Sequence, residues 1–341
     1  MGDVLHAMPA VAALRAAHPD WFIGWVIEPR WLPLLQASGE YAGCSATMPL
    51  VDKTYLAATR EWKKRPLAPK TLGDIAALWR ELRSERFDLC VDMQGSIRSA
   101  AIGRMAKAKL FTGPAHPREA PARWFYGQRV ETSSPHVVEQ GCEILEAAAG
   151  ELIRPARVEL PVDARAEASC KARLAQWTDA SRGLVLLAPG AGWGAKQWPA
   201  ERYGEVAAAL AEAGYRVLVN AYSMEDPLAL TVVRASGGSA NVFPCDMAEL
   251  IALTRQVNLV IAGDTGPLHL AAVLERPVVA LFGPTDPARN GPYGTPSRVL
   301  RHGEARRDHR RRTEPEAALL AISVDEVVAA ALELLKSTAK P

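Results

Sequence analysis

Asp264, Thr265, Gly266 and His269 stand close together where an apolar run, Leu259–Ala262, gives way to a helical pattern. A helix start offers unpaired backbone N–H groups and the positive end of a dipole, which suits a diphosphate. Thr265 can add a hydroxyl donor, and Gly266 lets a phosphate approach the backbone. The same residues also suit an ordinary capped helix with His269 satisfied locally, and Pro267 fits both readings. A second loop, Ala188 to Pro199, also follows an apolar run. Gly190, Gly192 and Gly194 let its backbone come close to a ligand, and Lys196 sets a point charge beside it. It has neither the Gly-Lys-Ser/Thr ending of a P-loop nor the spacing of a dinucleotide fingerprint, so a plain connection explains it equally well. A third segment, Phe282 to Pro287, could close over a ligand, although a proline-rich turn is the simpler reading.

At the other end, Met1 to Pro9 precedes a helical pattern, Pro9–His18. Asp3 there either caps that helix or serves as a general base. Basic residues gather at Arg60–Arg65, at Arg118 and at Arg123, where they could clamp phosphates or carboxylates or form a solvated face. The run Arg306–Arg312 is the densest, and reads as an exposed loop or a contact with anionic lipid. There is no DxD pair and no His/Asp/Glu set with metal-ligand spacing. Charge building on a leaving group would therefore fall to Lys196, backbone amides and a helix dipole rather than to a divalent ion.

These loops need strands and helices to hold them. Trp21–Ile27, Phe87–Asp92 and, more weakly, Leu110–Thr112 read as strands; Thr71–Glu85, Ile97–Lys107 and Val137–Ala149 join Pro9–His18 as helices. Further on, Leu184–Ala188, Arg216–Asn220, Leu259–Ala262 and Val278–Phe282 are strand candidates, and Pro199–Ala213 is a helix that closes at Gly214. Such alternation predicts an α/β chain of two doubly wound, parallel-sheet, Rossmann-like domains, residues 1–160 and 161–322. A strand-like bridge, Ile153–Asp163, would join them. Ligands bind at the carboxyl ends of parallel strands, so both domains would face a central cleft. In the remaining stretch, 323–341, Val324–Leu335 is an amphipathic helix expected to pack across the junction.

With 341 residues, 49% hydrophobic and 23% charged, the chain has the profile of a globular protein with substantial cores. A net charge of +2 gives no general argument for nucleic acid. Five dispersed cysteines without a CxxC pair argue against a disulfide framework and for a reduced cytoplasm. No apolar run approaches the roughly 20 residues that span a bilayer. Asp3 and His6 stand where an export signal would be basic and then apolar, so any meeting with a membrane is expected to be peripheral.

Taken in order, Met1–His6, Val91–Arg98, Arg118-Glu119, Phe125-Tyr126, Lys196–Pro199, Asp264–His269 and Phe282–Pro287 resemble the family 9 glycosyltransferases, the heptosyltransferases of lipopolysaccharide core assembly. The resemblance runs through nearly the whole chain. It implies a GT-B fold, an ADP-heptose donor, no metal, and a lipid A–Kdo glycolipid acceptor met at the inner membrane from the cytoplasm. Asp3 would be the base on the acceptor hydroxyl, and Lys196 would sit on the donor phosphates. Gly190, Glu225, Asp264, Thr265, Gly266 and His269 would line the donor site; Arg60, Gln94, Arg98 and Arg118 would face the acceptor. The family carries a buried strand ahead of the Met-Gly-Asp motif, and this sequence opens at the motif, so that strand is expected to be missing. Two other readings suit the same architecture: a nucleotide-sugar epimerase or hydrolase, and a nucleotide-sugar binding protein without turnover.

Overall fold

An almost unbroken apolar stretch carries the chain into α1 (Gly2–Ala17), which buries Leu5, Met8, Ala10, Val11 and Leu14. The helix begins well before the expected Pro9. Pro9 lies inside it and forfeits one ladder bond, a loss offset by apolar burial on both sides. Asp3 therefore sits within the first turn and makes no side-chain cap. The computed structural model describes residues 1–37, 49–176, 182–303 and 316–338. Cys44 and the basic run at 306–312 lie outside the described residues.

The chain divides after Pro161 into two units. After α1 the first continues with β1 (Gly24–Ile27), β2 (Lys53–Leu56), α2 (Thr59–Lys64), α3 (Pro69–Ser84), β3 (Leu89–Val91), α4 (Ile97–Met105), β4 (Leu110–Pro114), β5 (Gln128–Val130) and α5 (Val137–Ala149). Its strands form two parallel ladders, β1–β2 and β3–β4–β5. α4 starts on a capping box between Ser96 and Ser99, and α5 ends on Gly150 at φ 78°, the left-handed cap that glycine adopts freely. The segment that reads as a bridging strand, Ile153 to Asp163, forms no ladder. It carries prolines, and instead docks on α1 through the Ala156 N–H, which donates to the Pro9 carbonyl at 3.0 Å.

The second unit holds α6 (Ala164–Ala175), β6 (Leu184–Ala188), α7 (Ala200–Glu212), β7 (Arg216–Ala221), α8 (Pro227–Ala235), β8 (Ala240–Pro244), α9 (Met247–Gln256), β9 (Leu259–Gly263), α10 (Gly266–Val273), β10 (Val278–Leu281), α11 (Pro287–Asn290), β11 (Ser297–Leu300), α12 (Ala317–Leu320) and α13 (Val324–Thr338). Its six strands are parallel, in the order β11-β10-β9-β6-β7-β8. The inner strands β9 and β10 are buried at every position, as a sheet covered on both faces requires. α13 buries Val327, Ala330, Ala331, Leu334 and Leu335 in this unit's core, beside Trp198 and Tyr203. The Trp198 indole N–H donates to the Ile322 carbonyl and fixes the approach to that helix. Among the described residues no helix is long and apolar enough to cross a membrane, and Cys90, Cys142, Cys170 and Cys245 are unpaired.

Candidate active site

β6 and β9 are hydrogen-bonded neighbours, with Ala188 opposite Ala262. The loops leaving their carboxyl ends therefore emerge side by side. One bends through a 3-10 turn, Gly194–Lys196, and the other ends at Asp264. Lys196 Nζ donates to Asp264 Oδ2 at 2.5 Å, and His269 Nε2 donates to Oδ1 of the same carboxylate at 3.1 Å. The three side chains are 12%, 7% and 6% exposed. Gly263 makes this approach possible, since a Cβ there would stand 3.1 Å from the Lys196 carbonyl. Lys196 Nζ also lies 4.5 Å from the Trp193 ring centroid, over its negative face.

Thr265 is the N-cap residue of α10 but offers its helix no side-chain cap. Its hydroxyl turns back to donate to the Gly263 carbonyl at 3.2 Å. The helix start thus keeps backbone donors and dipole beside a buried ammonium. Gly266 opens α10, while Gly190 lies exposed with open space where a side chain would go. Glu225 is exposed in the turn after β7, ahead of α8, whose cap is Asp226. Since the sheet is parallel, Gly190, Glu225, Asp264 and the turn after β10 all occupy its carboxyl edge.

Burial alone would raise the Asp264 carboxyl, but the His269 hydrogen bond and the Lys196 charge outweigh it and hold its pKa well below the usual carboxylate range. A depressed folded pKa contributes stability that is complete above the unfolded value, near 3.9, and is lost as pH falls through the folded one. Melting of the chain is therefore expected to drop below about pH 4. The drop should be shallower for Asp264→Asn, measured by thermal unfolding at acid and neutral pH. Equal acid slopes for the two proteins would refute this.

In the first unit Asp3 is met by two of the residues expected to face the acceptor. Gln94 Nε2 donates to Asp3 Oδ2 at 2.6 Å and an Arg118 guanidinium N–H donates to the same oxygen at 3.4 Å. The Asp3–Arg118 pair is half exposed, which makes it a weak stabiliser and leaves the carboxylate open to a ligand. Arg60 and Arg98 gather around Glu28 and Thr59. The Arg98 guanidinium donates to Thr59 Oγ1 at 2.7 Å, Thr59 Oγ1 donates to Glu28, and the Arg60 amide donates to Glu28 Oε1 at 3.1 Å. Among the described residues no group of three or more His, Cys, Asp or Glu side chains could hold a metal ion.

The model of glycosyltransferase family 9 (heptosyltransferase) matches residues 75–319, which include both Asp264 and Lys196. The chain belongs to this family. The glycosyltransferase is 28% identical over 303 residues to lipopolysaccharide heptosyltransferase 1 of Pseudomonas aeruginosa, covering 86% of this chain and 79% of that one. Among solved structures it resembles a family 9 glycosyl transferase of Veillonella parvula, at 21% identity and TM-score 0.79, over 98% and 94% of the two chains. It also resembles Escherichia coli heptosyltransferase WaaC solved with ADP, at 24% identity and TM-score 0.73, over 99% and 97%. The fold is GT-B, two Rossmann-like units in one chain.

Several residues of this glycosyltransferase that shape the site carry no assigned role in the sequence reading. Asp92, 6% exposed, accepts from the Gln94 amide at 2.9 Å, the Gly95 amide at 3.1 Å, Ser99 Oγ at 2.9 Å and the Tyr126 hydroxyl at 2.8 Å. That anchor sets the turn from which Gln94 reaches Asp3. Gly95 sits at φ 67° with its Cα so close to the next segment that a Cβ would stand 3.0 Å from the Arg118 amide nitrogen. Glu119 completes the clip, its amide donating to the Gly95 carbonyl and its carboxylate accepting from the Ile97 amide. The signal was present as Asp92, Gly95 and Ser96 after a strand, a turn-and-cap pattern. Tyr126→Phe is expected to cost about 1.5–3 kcal/mol, the value of one hydrogen bond to a buried charge, by urea unfolding. A loss below a few tenths of that would show that the carboxylate is satisfied otherwise. Thr285 is also notable: it is 2% exposed in the turn after β10, and its hydroxyl has no hydrogen-bond partner among the described residues.

Proposed function

We propose that the protein transfers L-glycero-D-manno-heptose from ADP-heptose to the Kdo region of the lipopolysaccharide inner core, as a heptosyltransferase I type enzyme, with inversion and without a metal ion. The reading rests on one observation above all. Lys196 and the uncapped start of α10 converge at the carboxyl edge of the second sheet, where a diphosphate finds an ammonium, backbone donors and a helix dipole. The names of the relatives support heptose and lipopolysaccharide, and the ADP in the E. coli structure supports the nucleotide.

In this reading the second unit, which begins after Pro161, holds the donor, and the first holds the acceptor. Gly190, Thr265 and Gly266 bring backbone and hydroxyl groups to the phosphates, and Glu225 holds the ribose. Asp264 and His269 hold the Lys196 ammonium in place. The acceptor hydroxyl attacks the anomeric carbon, the bond from that carbon to the diphosphate oxygen breaks, and the hydroxyl proton passes to the Asp3 carboxylate. ADP leaves with its new charge on Lys196 and the helix start. Gln94 and Arg118 orient Asp3, while Arg60 and Arg98 meet the acceptor's anionic groups. The acceptor being lipid-linked, the protein works at the cytoplasmic face of the inner membrane as a peripheral enzyme.

Incubation with ADP-heptose and a Kdo–lipid A acceptor is expected to add one heptose to the glycolipid by mass spectrometry, in step with ADP release and undiminished by a chelator. ADP release without a mass gain, or loss of transfer with the chelator, would overturn this reading.

A further inference from the structure

α3 buries one face and leaves the adjacent one unusually apolar. Thr71, Leu78 and Leu82 are buried, Leu78 and Leu82 against Tyr55 and Ile102. One position round the helix, Leu72, Ala76 and Trp79 follow at helical spacing, and all three are exposed, Leu72 by 53% and Trp79 by 43%. Leu67, just ahead of the helix, is 83% exposed. An isolated exposed leucine needs no explanation, but a stripe of large apolar side chains does. Exposed cations stand near it in the chain: Lys63, Lys64 and Arg65 precede the helix, Lys70 and Arg80 lie on it, and the Arg83 guanidinium lies 4.8 Å from the Trp79 ring centroid. From Arg60 to Arg86 eight basic residues stand against four acidic ones. Lys70 and Asp74 engage each other, which removes one charge of each sign, and Glu85 is engaged by Lys53 from outside the segment, so the balance stays basic.

We infer that this stripe, Leu72, Ala76 and Trp79, with the exposed Leu67 ahead of it and the cations around it in the chain, is the face by which the protein lies on an anionic phospholipid surface. A lipid interface takes this combination: leucine and tryptophan enter the headgroup boundary while lysine and arginine stems reach anionic headgroups. A protein partner that met only the apolar stripe would leave the cations unanswered, whereas anionic lipid answers both. The inference deepens the reading of a lipid-linked acceptor, and rests on it for its purpose, since an enzyme held at the bilayer searches a surface rather than a volume.

Sedimentation with phosphatidylethanolamine vesicles containing about one-third phosphatidylglycerol is expected to carry down the whole chain, and phosphatidylcholine vesicles are not. The variant Leu67→Ser/Leu72→Ser/Trp79→Ser should partition at least about tenfold less, since it removes most of the apolar area that enters the interface. Lys63→Glu/Lys64→Glu should weaken binding chiefly at low salt. Hydrogen exchange on the unaltered chain supplies a readout free of folding effects: protection on adding vesicles is expected over residues 62–84. Absent binding to anionic vesicles, equal binding by the triple variant, or protection confined to other segments would each overturn the inference. So would light scattering that showed the stripe to be a contact between two copies, lost in the triple variant while vesicle binding persisted. These vesicles hold no acceptor sugar, so failure here is distinct from failure of heptose transfer, and transfer by the triple variant to a soluble acceptor should be unchanged.

Discussion

Lys196→Ala is expected to lower turnover by roughly 10²–10³, the usual cost of removing one preorganised group that stabilises a developing negative charge. The geometry makes the loss specific. The ammonium is nearly buried and is aimed by Asp264, which is itself gripped by His269. In so dry a setting a charge interacts more strongly than at the surface, and water cannot replace it well. The substitution also strips Asp264 of its cation, leaving a carboxylate beside the incoming diphosphate, so donor affinity should fall as well. Lys196→Arg is not expected to restore the rate, because a planar fork cannot occupy the place of a compact ammonium. Steady-state ADP release over a range of donor concentrations measures both effects. A Lys196→Ala enzyme within about threefold of the parent would remove the lysine from the chemistry.

Asp3→Asn should cost about 10²–10⁴ in transfer, the typical worth of a positioned general base, while leaving donor affinity as it was. Asparagine keeps the size of the side chain and an oxygen that can still accept from Gln94 Nε2, so the helix start and its contacts survive. What disappears is the capacity to take a proton. Single-turnover transfer paired with calorimetric titration of the donor separates the two properties. Full transfer activity in Asp3→Asn would dismiss the base, and a parallel loss of donor affinity would show that the residue acts through structure instead.

The strands that escaped sequence reading share a position. β2, β5, β8 and β11 each lie at the end of a ladder. β2, β5 and β11 are short and largely uncovered, with at most one buried residue each. An edge strand has one neighbour and a partly wet face, so its sequence need not be a run of valine, isoleucine and leucine. The inner strands β6, β9 and β10 are such runs and are legible at once. α1 was misplaced at its start because Pro9 is a strong local stop that apolar burial overrides.

The sequence by itself determined the local units. It set out strand, tight turn and helix around Asp264, a glycine-rich loop around Lys196, parallel-sheet alternation, and an ordered set of motifs that belongs to one family. Those features depend on residues a few positions apart, whose backbone preferences and apolar periods act at short range. Only the tertiary structure decided that Lys196 meets Asp264 across 68 residues, and that Gln94 meets Asp3 across 91. It also decided that Asp92 holds the turn carrying Gln94, and that α3 leaves one apolar face bare. Such pairings follow from which strands become neighbours and which helix faces find cover. Those outcomes are settled by the burial of the whole chain, to which each segment contributes without specifying its partner.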